Sequence, residues 1–235
     1  MSRITQFSTI GALMAGCFEP GKSLASLCCE GERAFGLGCS AQISGELTIW
    51  NGRIHEATAG ETLHCLSAET DVPFMQVTQF VAQDSQQIGP VTHETATGML
   101  RRFINTDNIF LAVSIEAEFD DLVIRRPQRA GDGTRSVEDV AAGQKVDRHR
   151  AITGRLIGFW TPELFGRVSV PGFHFHFLDR DEKISGHVLE FSAGHATLSF
   201  EEKETIEIHN PTSAAFRDRR IDVNALDEVI HRIEK

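Results

Sequence analysis

The chain has 235 residues, 41% apolar and 24% charged, with a formal net charge of −10. This length and balance fit a globular protein with a sizeable core, as one large domain or two small ones. The acidic balance argues against nucleic acid as a partner, since phosphate binding needs a basic surface, and no apolar run approaches the roughly 20 residues that span a bilayer.

The first stretch, MSRITQFSTIGALMAGCF, is interrupted by Gln6, Ser8 and Thr9 and does not read as a signal peptide. Within it STIGALMAGC (8–17) has helical spacing, with Ser8 or Thr9 as N-cap. The five cysteines, Cys17, Cys28, Cys29, Cys39 and Cys65, all lie in the first third without CxxC spacing. An odd count of this kind points to reduced thiols and a cytoplasmic location. LTIWNGRIHEA (47–57) reads as two strands about an Asn51-Gly52 turn. VPFMQVTQFVA (72–82) reads as a strand, TATGMLRRFINTD (95–107) as a helix ending near Asn105, and NIFLAVSIEAEF (108–119) as a strand. The polar stretch 125–150 is expected to be a long loop with one short helix at 136–142. Strands resume at ITGRLIGFW (152–160) and continue to ATLSFEE and TIEIHN. The tail NALDEVIHRIEK is expected to be a helix with Leu226, Val229, Ile230 and Ile233 on one face. Strands and helices in no strict alternation give an α+β class.

Chemistry concentrates in PGFHFHFLDRDEKISGHVLE (171–190). Side chains alternate across a strand, so Phe173, Phe175 and Phe177 share one face and His174 and His176 the other. DRDEK (179–183) has the composition of a turn. A hairpin centred between Asp181 and Glu182 sets His187 opposite His176, within imidazole reach of both other histidines. Three histidines with an open fourth position are the ligand pattern of a catalytic zinc ion. The plainer alternative is a set of half-buried strand histidines with backbone partners. Glu190 is a candidate partner for a ligand histidine, although its parity places it on the opposite face from His187. His195 and His209 lack this geometry and read as surface or loop residues. EEKE (201–204) reads as a solvated charge run. Arg125-Arg126 is either a surface pair or a carboxylate clamp, since guanidinium matches a carboxylate bidentately. Glu46 says nothing in isolation. Glu234 follows Leu226 and Ile230 at steps of four, at the edge of the final helix or in its frayed end.

In order and spacing, the segments QFSTIGALMAG, FGLG followed by SGEL, VPFMQVTQF, NIFLAVSIEAEF, GRLIGFWTPELF and VPGFHFHFLD…GHVLEF resemble the α-acetolactate decarboxylase family along nearly the whole chain. The resemblance implies zinc (Zn2+) on His174, His176 and His187, with Glu46, Arg125 and Glu234 as catalytic residues. It implies decarboxylation of (S)-2-acetolactate, a 2-hydroxy-3-keto acid, to (R)-acetoin and CO2, without an organic cofactor. It also implies a homodimer of α+β chains, each with two sheet-containing halves and the metal between them. The boundary is expected near residue 128, giving halves of 1–128 and 129–235. Cys39 stands where the family usually has Thr, GFHFHF stands where it commonly has GYHLHF, and the polar loop lacks the family's usual Pro-Tyr after the arginine. Two competing readings remain open. One is a cupin-like metalloenzyme, which also carries HxH and a later His on strands, often with iron or manganese. The other is an inactive family member that binds a small carboxylate.

Overall fold

The computed structural model describes residues 2–27, 31–131, 136–222 and 226. Among them the strands are β1 (Arg3–Phe7), β2 (Lys22–Ser23), β3 (Ala34–Cys39), β4 (Glu46–Trp50), β5 (Arg53–Ala57), β6 (His64–Cys65), β7 (Asp71–Val72), β8 (Phe74–Gln79), β9 (Asp84–Ile88), β10 (Val91–Thr92), β11 (Phe110–Arg126), β12 (Lys145–Thr161), β13 (Gly172–Asp179), β14 (Ser185–Ala193), β15 (Ala196–Lys203) and β16 (Thr205–His209). The helices α1 (Ile10–Met14), α2 (His93–Leu100), α3 (Val137–Ala142) and α4 (Ala214–Asp218) are short. The described chain is therefore mostly β, with fewer helical residues than an α+β reading implies. No helix among the described residues is long and apolar enough to cross a membrane.

Two seven-stranded sheets carry the fold. The first runs β16-β1-β8-β3-β4-β5-β6, antiparallel except for the parallel pair β1–β16. The second runs β10-β14-β13-β12-β11-β15-β9, and β14 also pairs with β11. That extra pairing closes β11, β12, β13 and β14 into a ring, around Phe119, Phe175, Phe177 and Phe191 in edge-to-face contact. Sheet membership does not divide at residue 128. β9, β10 and β11 belong to the second sheet, and β16 returns to the first beside β1.

Where the two sheets pack, Ile4, Phe35 and Leu37 of the first meet Phe110, Ala112, Ile157, Phe159 and Leu178 of the second. Arg155 of β12 stacks its guanidinium 4.1 Å from the Trp50 ring centroid of β4. On β4 the period of two sends Leu47 and Ile49 into a separate cluster behind the sheet. It leaves Glu46, Thr48 and Trp50 on the opposite face, in register with Cys39, Leu37 and Phe35.

Several local expectations hold. Thr9 caps α1 by accepting from the Ala12 amide at 3.1 Å. Asn51 and Gly52 both have positive φ, as the tight β4–β5 hairpin requires. Others need correction. The helix expected to reach Asn105 stops at Leu100, and the polar stretch expected as a loop from 125 is strand through Arg126 and again from Lys145. EEKE is not a solvated run. Glu201 and Lys203 are buried and paired at 2.8 Å, and the Glu201 carboxylate also accepts from the Val81 amide and the Ser2 hydroxyl. Strand alternation turns every second residue of that run inward.

Candidate active site

The hairpin β13–β14 brings the three histidines together. His176 pairs directly with His187, and the turn between them carries Glu182 at positive φ. Ring centroids lie 5.5 Å apart for His174–His176, 5.0 Å for His174–His187 and 5.5 Å for His176–His187. One nitrogen from each lies within 4.8 Å of the others, so the three together could hold a metal ion. All three side chains are buried. Phe173, Phe175 and Phe177 point the other way, and the last two are buried in the ring core. The histidine face is the one whose neighbours in register, Ile157 and Phe159, pack toward the first sheet.

Burial, reinforced by the charge of Arg125, depresses the His174 pKa to about 3. Burial also holds His176 well below the usual histidine value, helped by His174 and Arg125 and opposed by a hydrogen bond to Leu47. Both rings are therefore neutral near pH 7, the form that binds a metal. The His176 Nδ1–H donates to the Leu47 carbonyl at 2.9 Å, which leaves the Nε2 lone pair free. That Nε2 faces the Glu46 carboxylate at 3.5 Å. Two acceptors facing each other at that distance suit a cation or a shared proton. The donor set thus fits a divalent metal with an affinity for imidazole.

Arg125, buried near the end of β11, stands opposite His187 on β14. Glu46, buried on β4, stands opposite Cys39 of β3. One pocket is lined by His174, His176, Arg125 and Glu46 together with Cys39, and roofed by apolar residues of α1 and α3. Its roof (Ile10, Leu13, Met14 and Val140) belongs to one cluster with Ile43, Phe74 and Leu226. The short helix expected at 136–142 is present as α3, but its place in the pocket roof was not read from sequence because a polar stretch surrounds it. The available signal was the pair Val137 and Val140, three apart behind a Ser136–Asp139 capping box. Leu47 acts through its carbonyl, which no side-chain pattern reports. Glu190 is exposed and pairs with Arg148 at 3.3 Å, whereas the three histidines are buried. His195 is exposed and His209 pairs with Glu207, as expected for residues outside the site. Glu234 lies outside the described residues.

The depressed histidine pKa values make the stability of the metal-free protein pH-dependent. Between about pH 6.5 and pH 3 the unfolded chain protonates His174 while the folded chain does not. The unfolded state then binds more protons, so stability is present above that window and is lost as pH falls through it. Urea midpoints of the metal-free protein are expected to fall from pH 7 to pH 4.5, and less steeply in His174→Gln. Identical slopes in the two proteins would contradict the assignment.

The family model for alpha-acetolactate decarboxylase matches residues 4–223. The Lactococcus lactis subsp. cremoris alpha-acetolactate decarboxylase is 33% identical over 202 residues, which cover 84% of either chain. The Klebsiella aerogenes alpha-acetolactate decarboxylase is 29% identical over 234 residues, covering 99% of this chain and 89% of that one. A crystal structure of a Staphylococcus aureus protein of unknown function, similar to alpha-acetolactate decarboxylase, superposes with a TM-score of 0.91 at 27% identity, covering 99% of this chain and 100% of that one. The Bacillus subtilis alpha-acetolactate decarboxylase shares the fold, with a TM-score of 0.92 over 99% of each chain at 23% identity. Because the family match runs through both sheets and takes in Glu46, Arg125 and all three histidines, the chain belongs to the alpha-acetolactate decarboxylase family.

Proposed function

We propose that this chain converts (S)-2-acetolactate to (R)-acetoin and CO2, with a zinc ion held by His174, His176 and His187. The observation that carries the reading is the cluster of three buried imidazoles, two of which, His174 and His176, line one pocket with Glu46 and Arg125, while the third, His187, stands opposite Arg125 in register. When bound, zinc supplies a Lewis acid for the substrate's ketone and hydroxyl oxygens and so a sink for the electron pair left on carbon. The chain's own groups do the rest. Arg125, held rigid by burial, receives the carboxylate and fixes the carbon–carbon bond that breaks. One proton must replace the departing CO2. Glu46 delivers it to that carbon as a general acid, and the face it approaches sets the product's configuration. Glu234 is kept in this reading as a second acid from the C-terminal segment. The apolar roof from α1 and α3 keeps water from the reacting carbon. The homodimer and the cytoplasmic location belong to the same reading, on the strength of the resemblance and of the odd number of cysteines.

The test is acetoin formation from racemic 2-acetolactate by purified protein, with metal content measured on the same sample. About one zinc per chain is expected, with turnover that a chelator abolishes and added zinc restores. Turnover persisting after zinc is stripped would overturn the metal's role. Carboxylate binding without turnover would favour the inactive-member reading instead, and iron or manganese in place of zinc would favour the cupin-like one.

A further inference from the structure

His176 is held by more than the Leu47 carbonyl. The Thr48 hydroxyl lies 3.3 Å from His176 Nδ1 and 2.9 Å from the Ser185 hydroxyl, and the Ser185 hydroxyl donates to the Phe177 carbonyl at 2.6 Å. Thr48, His176 and Ser185 are each at most 1% exposed. Thr48 comes from β4 of the first sheet, while His176 and Ser185 come from the two strands of the histidine hairpin.

The chain of hydrogen bonds has a forced direction. A backbone carbonyl only accepts, so Ser185 spends its one proton on Phe177. Its oxygen is left as an acceptor, and Thr48 therefore donates to it. The lone pairs of Thr48 are then turned to His176 Nδ1. Leu47 presents a second acceptor to the same nitrogen. Two acceptors reached by independent routes require the proton on Nδ1 and the free lone pair on Nε2, the nitrogen facing Glu46. The opposite tautomer would set an unprotonated Nδ1 against both acceptors in a buried site.

We propose that Thr48 and Ser185 are positioning residues for the metal site, fixing the tautomer and ring orientation of His176 from across the two sheets. The inference rests on the metal reading above. It makes the metal's affinity depend on a residue of the first sheet that touches no metal. Partners of this kind typically contribute about 10–100-fold in metal affinity.

The experiment is a titration of metal-free protein with zinc, against a chromophoric competitor, and with cobalt(II), read by its visible ligand-field bands. Wild type is compared with Thr48→Val, Thr48→Ser and Ser185→Ala. Thr48→Val keeps the shape and removes the hydroxyl, and is expected to weaken binding by about 10–100-fold with shifted cobalt bands. Thr48→Ser restores the hydroxyl and is expected to recover wild-type affinity and spectrum. Ser185→Ala removes the acceptor for the Thr48 proton, which is then free to turn against His176 Nδ1, so affinity falls again. Thermal unfolding of each metal-free variant separates loss of fold from loss of positioning. Should Thr48→Val fail to fold, Ser185→Ala against wild type decides. Folded Thr48→Val or Ser185→Ala with wild-type affinity and unchanged cobalt bands would overturn the inference while leaving the metal reading intact. A wild-type protein that binds neither ion would instead remove the metal reading, and this inference with it.

Discussion

His176→Ala is expected to bind no zinc at stoichiometric concentration and to form acetoin at least about a thousandfold more slowly than wild type. The magnitude follows from the chemistry proposed for the site. A Lewis acid at the reacting oxygens is worth several kcal/mol of transition-state stabilisation, and each 1.36 kcal/mol is tenfold in rate. His176 is the sharpest place to remove it. The residue sits where β13 last pairs with β14, its centroid is 5.5 Å from each of the other two rings, and its Nδ1 is tied to Leu47 of the opposite sheet. Alanine there leaves two imidazoles on separate strands and no third donor between them. The substitution also opens a void beside Ile157, so loss of fold must be separated from loss of metal. Far-UV circular dichroism and the unfolding midpoint of the metal-free protein serve that purpose. His195→Ala, at an exposed position outside the site, is the matched control and should retain both zinc and rate. Wild-type turnover in a folded His176→Ala protein would remove the three-histidine centre from the mechanism.

The histidine triad could be read from sequence because two simple periodicities met there. Alternation put His174 and His176 on one face against the phenylalanines, and the charged turn set the register that brings His187 opposite His176. The Asn51-Gly52 hairpin was legible for the same reason, and so was the N-cap to within Ser8 or Thr9, of which the structure uses Thr9. What stayed hidden depends on distant chain. Lys145–Arg150 carries little apolar alternation because much of that strand segment faces solvent, yet it pairs along β11 from Arg126 to Asp121. β9 (Asp84–Ile88) is a polar edge strand, ordered by its partner β15 and not by its own pattern. The buried pair Glu201–Lys203 looked like a solvated run because local composition does not say which side of a strand will be covered. Glu46 is the most instructive case. Neither composition nor spacing marks it as special, and only the resemblance of FGLG and SGEL to the family pointed to it. Its place facing His176 is set by the alternation of β4 and by how the sheets pack, one step beyond what a single segment reveals.

Glu46→Gln should keep its zinc and lose about 10²–10⁴-fold in kcat, the range associated with one positioned general acid. Glutamine preserves the volume of the side chain and an acceptor oxygen, so the packing against Cys39 and the roof of the pocket has little reason to change. What it cannot do is hold a transferable proton. If Glu46 acts only by balancing the charge of a metal beside His176, the amide should instead weaken zinc binding and leave the rate per bound zinc nearly intact. The two roles therefore separate on one sample, by metal content against kcat. Arg125→Lys sharpens the comparison. A lysine keeps the positive charge but loses the planar fork that matches a carboxylate. Its defect is expected in both KM and kcat, since a substrate held less firmly is also held less well aligned. Full activity in zinc-loaded Glu46→Gln would move the proton to another donor, with Glu234 the first to test. A kcat loss in Glu46→Gln with KM and zinc unchanged, set beside a mixed loss in Arg125→Lys, would assign proton delivery to the first sheet and substrate alignment to the second. The reaction would then need both sheets, each supplying a group the other lacks.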